Sequence, residues 1–202
     1  MTLKIIVYLL LSYLCGAIPF GYIVAKLFKH VDIRTLGSGN PGATNVYRSI
    51  SKPLGVLTLI LDVLKGFVPV YLISFINPEF QWMVISVAFV TIIGHTFTIF
   101  LRFKGGKGVA TACGAFLAIN PLSVLICLGV FIVVLAMFKY VSAASIMAAL
   151  MLPISLYLLK ELPEIVVFAG MISILVIVRH ISNIKRLLNG TENKIFGTKT
   201  TK

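Results

Sequence analysis

Residues 109–138 read VATACGAFLAINPLSVLICLGVFIVVLAMF, and the way this run divides decides the fold. As one helix it would be roughly 45 Å long, too much for a single hydrocarbon crossing of about 30 Å. Asn120-Pro121 sits inside it. Proline removes a helical donor and pushes the preceding residue out of the α region. The run therefore predicts two short helices, 109–119 and 121–138, meeting at that break.

Working outward, further apolar runs cover residues 3–28, 54–76, 82–101, 142–158 and 163–181. Gly16, Pro19 and Gly21 mark kink or close-packing positions in the first. That run has only Lys4 ahead of it and no small-residue cleavage site, so it reads as a retained span rather than a signal peptide. The expected architecture is an all-α integral membrane protein with seven transmembrane helices, two of them short around Pro121. It forms a single polytopic domain over residues 1–202. A chain 59% hydrophobic and only 12% charged leaves no room for a soluble domain, so chemistry must come from loops and helix ends.

Charge sets the orientation. With seven spans, loops 29–53 and 102–108, the turn at Lys139 and the tail share one side. Of the 18 Lys and Arg residues, only Lys4 and Lys160 then fall opposite, beside Glu79, Glu161 and Glu164, while Lys65 lies within a span. The crowded side is cytoplasmic, which puts the N-terminus outside and the C-terminus inside. The net charge of +12 is explained in this way without nucleic acid, for which no motif is present. Cys15, Cys113 and Cys127 lie in apolar runs without metal-ligand spacing and read as small core residues.

Three polar stretches carry the chemistry. Asp32–Arg48 contains Ser38, Asn40, Thr44 and Asn45 as short hydrogen-bonding groups and Arg48 as a fork suited to a phosphate. Gly37, Gly39 and Gly42 match G-x-G-x-x-G by letter, but no strand precedes them and no βαβ unit surrounds them. The second stretch is Phe103-Lys104-Gly105-Gly106-Lys107-Gly108-Val109-Ala110-Thr111, preceded by Gly94-His95-Thr96-Phe97. Its glycines could form a backbone nest for an anion, with Lys107 and a helix N-terminus behind it. It is no Walker A loop, because Gly108 and not Ser or Thr follows Lys107. His95, placed about two turns inside the third span, reads first as a packed histidine and second as a site residue. The third stretch is Arg179–Glu192. If the last helix runs on past the membrane edge, His180 and Asn183 share one face. Asp62 and Lys65, at i,i+3 within a span, read as a neutralising structural pair. Ser142 and Ser145 either cap the helix from 142 or join the site.

Gly37–Asn45, Gly94-His95 with Phe103–Thr111, and Arg179-His180 with Asn183-Ile184 and Arg186-Leu187 together resemble the PlsY family of bacterial acyl-phosphate-dependent glycerol-3-phosphate acyltransferases. The resemblance covers essentially the whole chain. It departs at Thr98, where the family usually has proline after Gly-His-x-Phe, a difference that bears on a helix kink. The resemblance implies transfer of a fatty acyl group from acyl phosphate to the 1-hydroxyl of sn-glycerol 3-phosphate, giving lysophosphatidate and inorganic phosphate. This is the first acylation of bacterial phospholipid synthesis. It implies no cofactor, no metal, no nucleic acid, membrane lipid as surroundings, and a functional link to an enzyme that makes acyl phosphate. The place would be the bacterial inner membrane, multi-pass, with the site on the cytoplasmic face.

Two phosphorylated substrates need two anion pockets. The glycine turn (Lys104, Gly105, Gly106, Lys107, Gly108, Thr111) would take one phosphate. Arg48 with Ser38, Asn40, Thr44, Asn45 and Asn183 would take the other, and which pocket holds which is left open. His180 is the best side-chain base, since its ordinary pKa lies near neutrality. The departing phosphate could equally take the proton, with His180 orienting the glycerol phosphate; the activated donor favours this second route. A transporter for a phosphorylated solute is the main rival. It fits less well, because the donors crowd one surface and no internal repeat is evident.

Overall fold

The computed structural model describes residues 2–76 and 81–195. Glu79, Lys199 and Lys202 of the charge argument lie outside them. Every described regular element is helical. The chain divides into two compact units, Met1–Pro121 and Leu122–Lys202.

In the first unit α1 (Thr2–Ala17) and α2 (Phe20–Lys29) are two helices bent by 42° at the Ile18-Pro19 break. A short α3 (Ala43–Ser49) follows a loop, then α4 (Lys52–Ile76), α5 (Gln81–Thr96) and α6 (Val109–Ile119). The third apolar run ends as a helix at Thr96, five residues before the expected limit, and finishes in a 3-10 turn, Ile99–Leu101. His95 thus lies in the last turn of α5, not two turns inside it.

Helix α4 is the centre of this unit. It packs on α6, α3, α5 and α2, while α1 packs on α5. The α4–α6 crossing is close because it lacks side chains. A Cβ at Gly114 would come within 1.9 Å of Val63 O, and one at Gly66 within 2.1 Å of Thr111 O. Small residues let membrane helices approach in this way and gain dispersion contacts where lipid gives no hydrophobic drive. Gly114→Val is therefore expected to prevent recovery of folded protein from detergent, scored by size-exclusion chromatography. A monodisperse Gly114→Val protein of wild-type yield would contradict this packing.

A small core seats the loop before α3. Ala25, Ile33 and Val46 are fully buried, with Tyr22, Leu36 and Leu54 against them. Burying side chains such as Ile33 and Val46 stabilises by about 1.5–3 kcal/mol each. This core fixes the polar loop to α2, α3 and α4.

In the second unit α7 (Pro121–Phe138), α8 (Val141–Leu158) and α9 (Pro163–Arg179) are long, and α10 (Ile181–Leu188) is short. The expected break at Asn120-Pro121 is present, with α6 and α7 ending and starting on either side of it. α8 packs on α9, and Ser173 Oγ donates to Ala149 O at 2.5 Å across that contact. The last helix does not run on past Arg179. The chain turns by 57° at His180 and α10 sets off in a new direction, packed on α8 and α9. Among the described residues four helices are long and apolar enough to cross a membrane, or six spans if each bent pair counts as one. α6, with 11 residues, is shorter. The protein is thus an all-helical integral membrane protein with four to six candidate spans.

Candidate active site

In the first unit the loop before α3 is built around Asn45. Its side chain is buried, and Nδ2 donates to Leu36 O (2.9 Å), Asn40 O (3.0 Å) and Ile33 O (3.3 Å). Its Oδ1 accepts from Ser38 N (3.1 Å) and Ser49 Oγ (3.2 Å). An amide with every position engaged has nothing left for a ligand. Asn45 holds the loop, and a phosphate would meet its neighbours. Gly37 permits this arrangement. Its φ is +56°, and a Cβ would lie 2.3 Å from Ser49 Oγ and 2.4 Å from Asn45 Oδ1. Asn40 Oδ1 accepts from Gly42 N at 2.9 Å. Ser38 is exposed at the tip, Thr44 is half-buried in the first turn of α3, and Arg48 is half-buried in the last. Upstream, Asp32 caps a 3-10 turn and pairs with Arg34 at 2.6 Å. The hydrogen bonds from Arg34 pull the Asp32 carboxyl down to about 2.

The glycine turn differs in detail from a nest. Gly105 N donates to Thr96 O and Gly106 N to His95 O, both at 3.1 Å. Those two amides are committed to the end of α5. The glycines are needed for closeness: a Cβ at Gly105 would sit 2.0 Å from His95 O, and one at Gly106 2.1 Å from His95 Nε2. The first amides of α6 have no intrahelical acceptor. Gly108, at φ +87°, caps that helix in a left-handed conformation. Lys107 before it is half-buried and Lys104 is exposed. Thr111, in the first turn of α6, is fully buried, and its Oγ1 has no hydrogen-bond partner among the described residues.

Thr98 stands in for a proline without loss. Its φ of −67° is one that proline adopts, and its hydroxyl donates to Ala17 O at 2.5 Å while accepting from Phe100 N. The loop and the turn meet at one small pocket, lined by Pro19, Pro41, Asp62, His95, Gly105 and Gly106 among others. Two of the three polar stretches are therefore neighbours within the first unit.

The second unit carries the third stretch. His180 is buried at the α9–α10 turn, and its Nδ1 lies 2.8 Å from Val176 O. A carbonyl only accepts, so Nδ1 is the donor in this contact. Asn183 N donates to His180 O at 2.8 Å, and the two residues lie one turn apart despite the bend.

Glu192 is the residue that sequence reasoning passed over. Its side chain is 2% exposed and accepts from Asn183 Nδ2 (2.7 Å), Ser142 Oγ (2.9 Å) and Arg186 Nε (2.7 Å). Burial alone would raise its carboxyl. The donated hydrogen bonds outweigh that and hold it below its ordinary value. Its signal in the sequence was a lone acid in a basic tail. Ser142 is thus engaged by the tail rather than capping its helix, which has no side-chain cap. Among the described residues no group of three or more His, Cys, Asp or Glu could hold a metal ion.

Against this geometry stand the comparisons. The family profile described as glycerol-3-phosphate acyltransferase matches residues 6–190. A glycerol-3-phosphate acyltransferase from Endomicrobium trichonymphae is 51% identical over 195 residues, 96% of this chain and 97% of that one. The fold is similar to the crystal structure of PlsY (YgiH), an integral membrane glycerol 3-phosphate acyltransferase, in its glycerol 3-phosphate form. The TM-score is 0.92 and the identity 39%, with 96% of each chain covered. Its lysophosphatidic acid form gives a TM-score of 0.89 at the same identity and coverage.

Proposed function

Since the chain belongs to the glycerol-3-phosphate acyltransferase family and is an integral membrane acyltransferase of that kind making lysophosphatidate, we propose that its acyl donor is acyl phosphate and that its site combines the three polar stretches. The 1-hydroxyl oxygen of sn-glycerol 3-phosphate attacks the acyl carbon. The bond from that carbon to the phosphate oxygen breaks, and inorganic phosphate leaves. The hydroxyl proton goes to the departing phosphate, while His180 Nε2 accepts a hydrogen bond from the hydroxyl and orients it.

Lys107, the α6 N-terminus and Thr111 hold one phosphate, with Gly108 setting the helix start. Gly105 and Gly106 serve by shape, and exposed Lys104 attracts the anion to the turn. Arg48, Ser38, Asn40, Thr44 and Asn183 serve the other, with Asn45 as the scaffold of that loop. The acyl chain lies among the helices in the bilayer. The observation that carries this reading is the cavity on which the Pro41 loop and the Gly105-Gly106 turn converge from distant parts of the chain.

The same reading gives seven crossings in one catalytic domain, with α6 as a short one. The N-terminus is outside, and the site faces the cytoplasm of a bacterial cell at its inner membrane. Charge asymmetry supports this. No cofactor or metal is required, because acyl phosphate is already activated. An enzyme that makes acyl phosphate must supply the donor.

Purified protein in detergent, given acyl phosphate and glycerol 3-phosphate, should release phosphate and form lysophosphatidate. A transporter would release none above background. His180→Ala should raise KM for glycerol 3-phosphate and leave kcat within about tenfold. A fall in kcat of about 10³ or more would make His180 the base.

A further inference from the structure

Three charged or titratable side chains are buried where α4 meets the end of α5, and the acyl-transfer chemistry uses none of them directly. Lys65 Nζ lies 2.8 Å from Asp62 Oδ1, and each side chain is 3% exposed. His95 Nδ1 is 3.7 Å from the same carboxylate oxygen, with the ring 7% exposed. Stability alone does not explain such a cluster. A buried ion pair gives little over an apolar pair of similar volume, because desolvation offsets the attraction. Ionisable groups at membrane depth are rare and mark function.

The contacts of the cluster lead to two chain breaks that carry the polar stretches. Lys65 Nζ donates to Ile18 O at 2.6 Å, at the bend between α1 and α2, and sits over the Phe20 ring at 5.5 Å. At the other end His95 meets Gly106 twice. Its carbonyl accepts the Gly106 amide, and its ring is so close that a Cβ on Gly106 would lie 2.1 Å from Nε2. Lys107 is the next residue. All of these groups except Ile18 line the cavity shared with Pro41, or adjoin it.

We propose that Asp62, Lys65 and His95 form a positioning device for the phosphate turn, in which the His95 ring is the strut that fixes Gly106 and so aims Lys107 and the start of α6. The ring does not touch substrate. The Asp62 carboxylate faces the ring across 3.7 Å, and Lys65 ties that carboxylate to the α1–α2 bend, so that the turn and the loop following α2 share one anchor. A displaced turn would weaken the grip on phosphate while the helices stay packed, since the α4–α6 crossing is made by Gly66 and Gly114 and not by these groups. The proposal rests on the acyl-transfer reading only in taking the turn as a phosphate site.

The test uses inorganic phosphate as probe and thermal shift of the detergent-purified protein as readout, on wild type, His95→Ala, His95→Gln and Asp62→Leu/Lys65→Met. The double variant removes both charges and keeps the volume. Each variant is expected to remain folded without ligand and to bind phosphate about tenfold more weakly, His95→Gln less affected than His95→Ala. In steady-state acyl transfer the same variants should raise KM for one phosphorylated substrate about tenfold and the other by less than about twofold. Phosphate binding equal to wild type in either folded His95 variant would overturn the proposal. So would loss of melting temperature with an unchanged ratio of the two KM values, the mark of a purely structural role. No phosphate binding by wild type would overturn it as well. Phosphate binding without acyl transfer in wild type would instead sink the acyl-phosphate reading and leave the positioning result to be read from binding alone.

Discussion

Lys107→Ala should lower acyl transfer by about 10²–10³-fold, while the protein still inserts, purifies and melts near the wild-type temperature. Lys107 immediately precedes the left-handed cap of α6. Its ammonium and the helix N-terminus, equivalent to about half a positive charge, would act on the same phosphate. With the donor's phosphate in this pocket, charge would build on it as the acyl–oxygen bond breaks, and the stabilisation would be greater in the transition state than in the ground state. A fixed cation in a partly dehydrated site contributes about 3–4 kcal/mol to such a step. The side chain is half-buried. Lys107→Arg should recover only part of the activity, because a planar fork does not reproduce a compact ammonium. The check is phosphate release under saturating substrates. Activity within about tenfold of wild type would remove Lys107 from the centre of the mechanism.

The second large effect concerns the tail. Glu192→Ala leaves Asn183, Ser142 and Arg186 without their shared acceptor. Orphaning buried donors and a half-buried guanidinium should destabilise the α8–α10 region by about 3 kcal/mol. That is enough for local opening to become visible as faster hydrogen exchange over residues 180–192. Activity should fall with it, because Asn183 loses its fixed position. The charge contribution has a definite pH window. The folded carboxyl titrates below its ordinary value near 4.5, so the native state holds fewer protons than the unfolded one. The stabilisation is present above that ordinary value and is lost as pH falls through the lower folded value. The difference in exchange protection between wild type and Glu192→Gln should therefore be flat from neutral pH to about 5 and shrink only on stronger acidification. Protection lost already between pH 7 and 6 would show that Glu192 is not the anchor.

Much of the fold could be read from local pattern. Asn120-Pro121 ends one helix and begins another because proline acts on its immediate neighbours. The apolar runs are helices because a backbone in lipid must satisfy its own hydrogen bonds. The errors came where a helix end depends on distant atoms. α5 stops at Thr96 because the Thr96 and His95 carbonyls are taken by amides of the glycine turn. The last helix bends at His180, where the sequence offers no proline or glycine.

The candidate site was legible as a set of residues but less so as a set of roles. Asn45 has the same letter as a ligand-binding amide, yet four partners in the preceding loop and Ser49 of α3 engage it. Gly105 and Gly106 matched an anion nest, yet their amides turn to α5 and their missing side chains make room for His95. Glu192 drew no notice because a single tail carboxylate has no pattern.

Sequence by itself determined the membrane class, the helical runs, the break at Pro121 and the three polar stretches, since each depends on residues within a few positions of one another. Tertiary structure alone decided that His95 joins the Asp62–Lys65 pair, that Lys65 reaches Ile18, and that Glu192 gathers Ser142 and Asn183. Those contacts join residues up to fifty positions apart. Nothing in the local chain specifies them; they exist because the packing of the helices brings buried polar atoms within hydrogen-bonding distance.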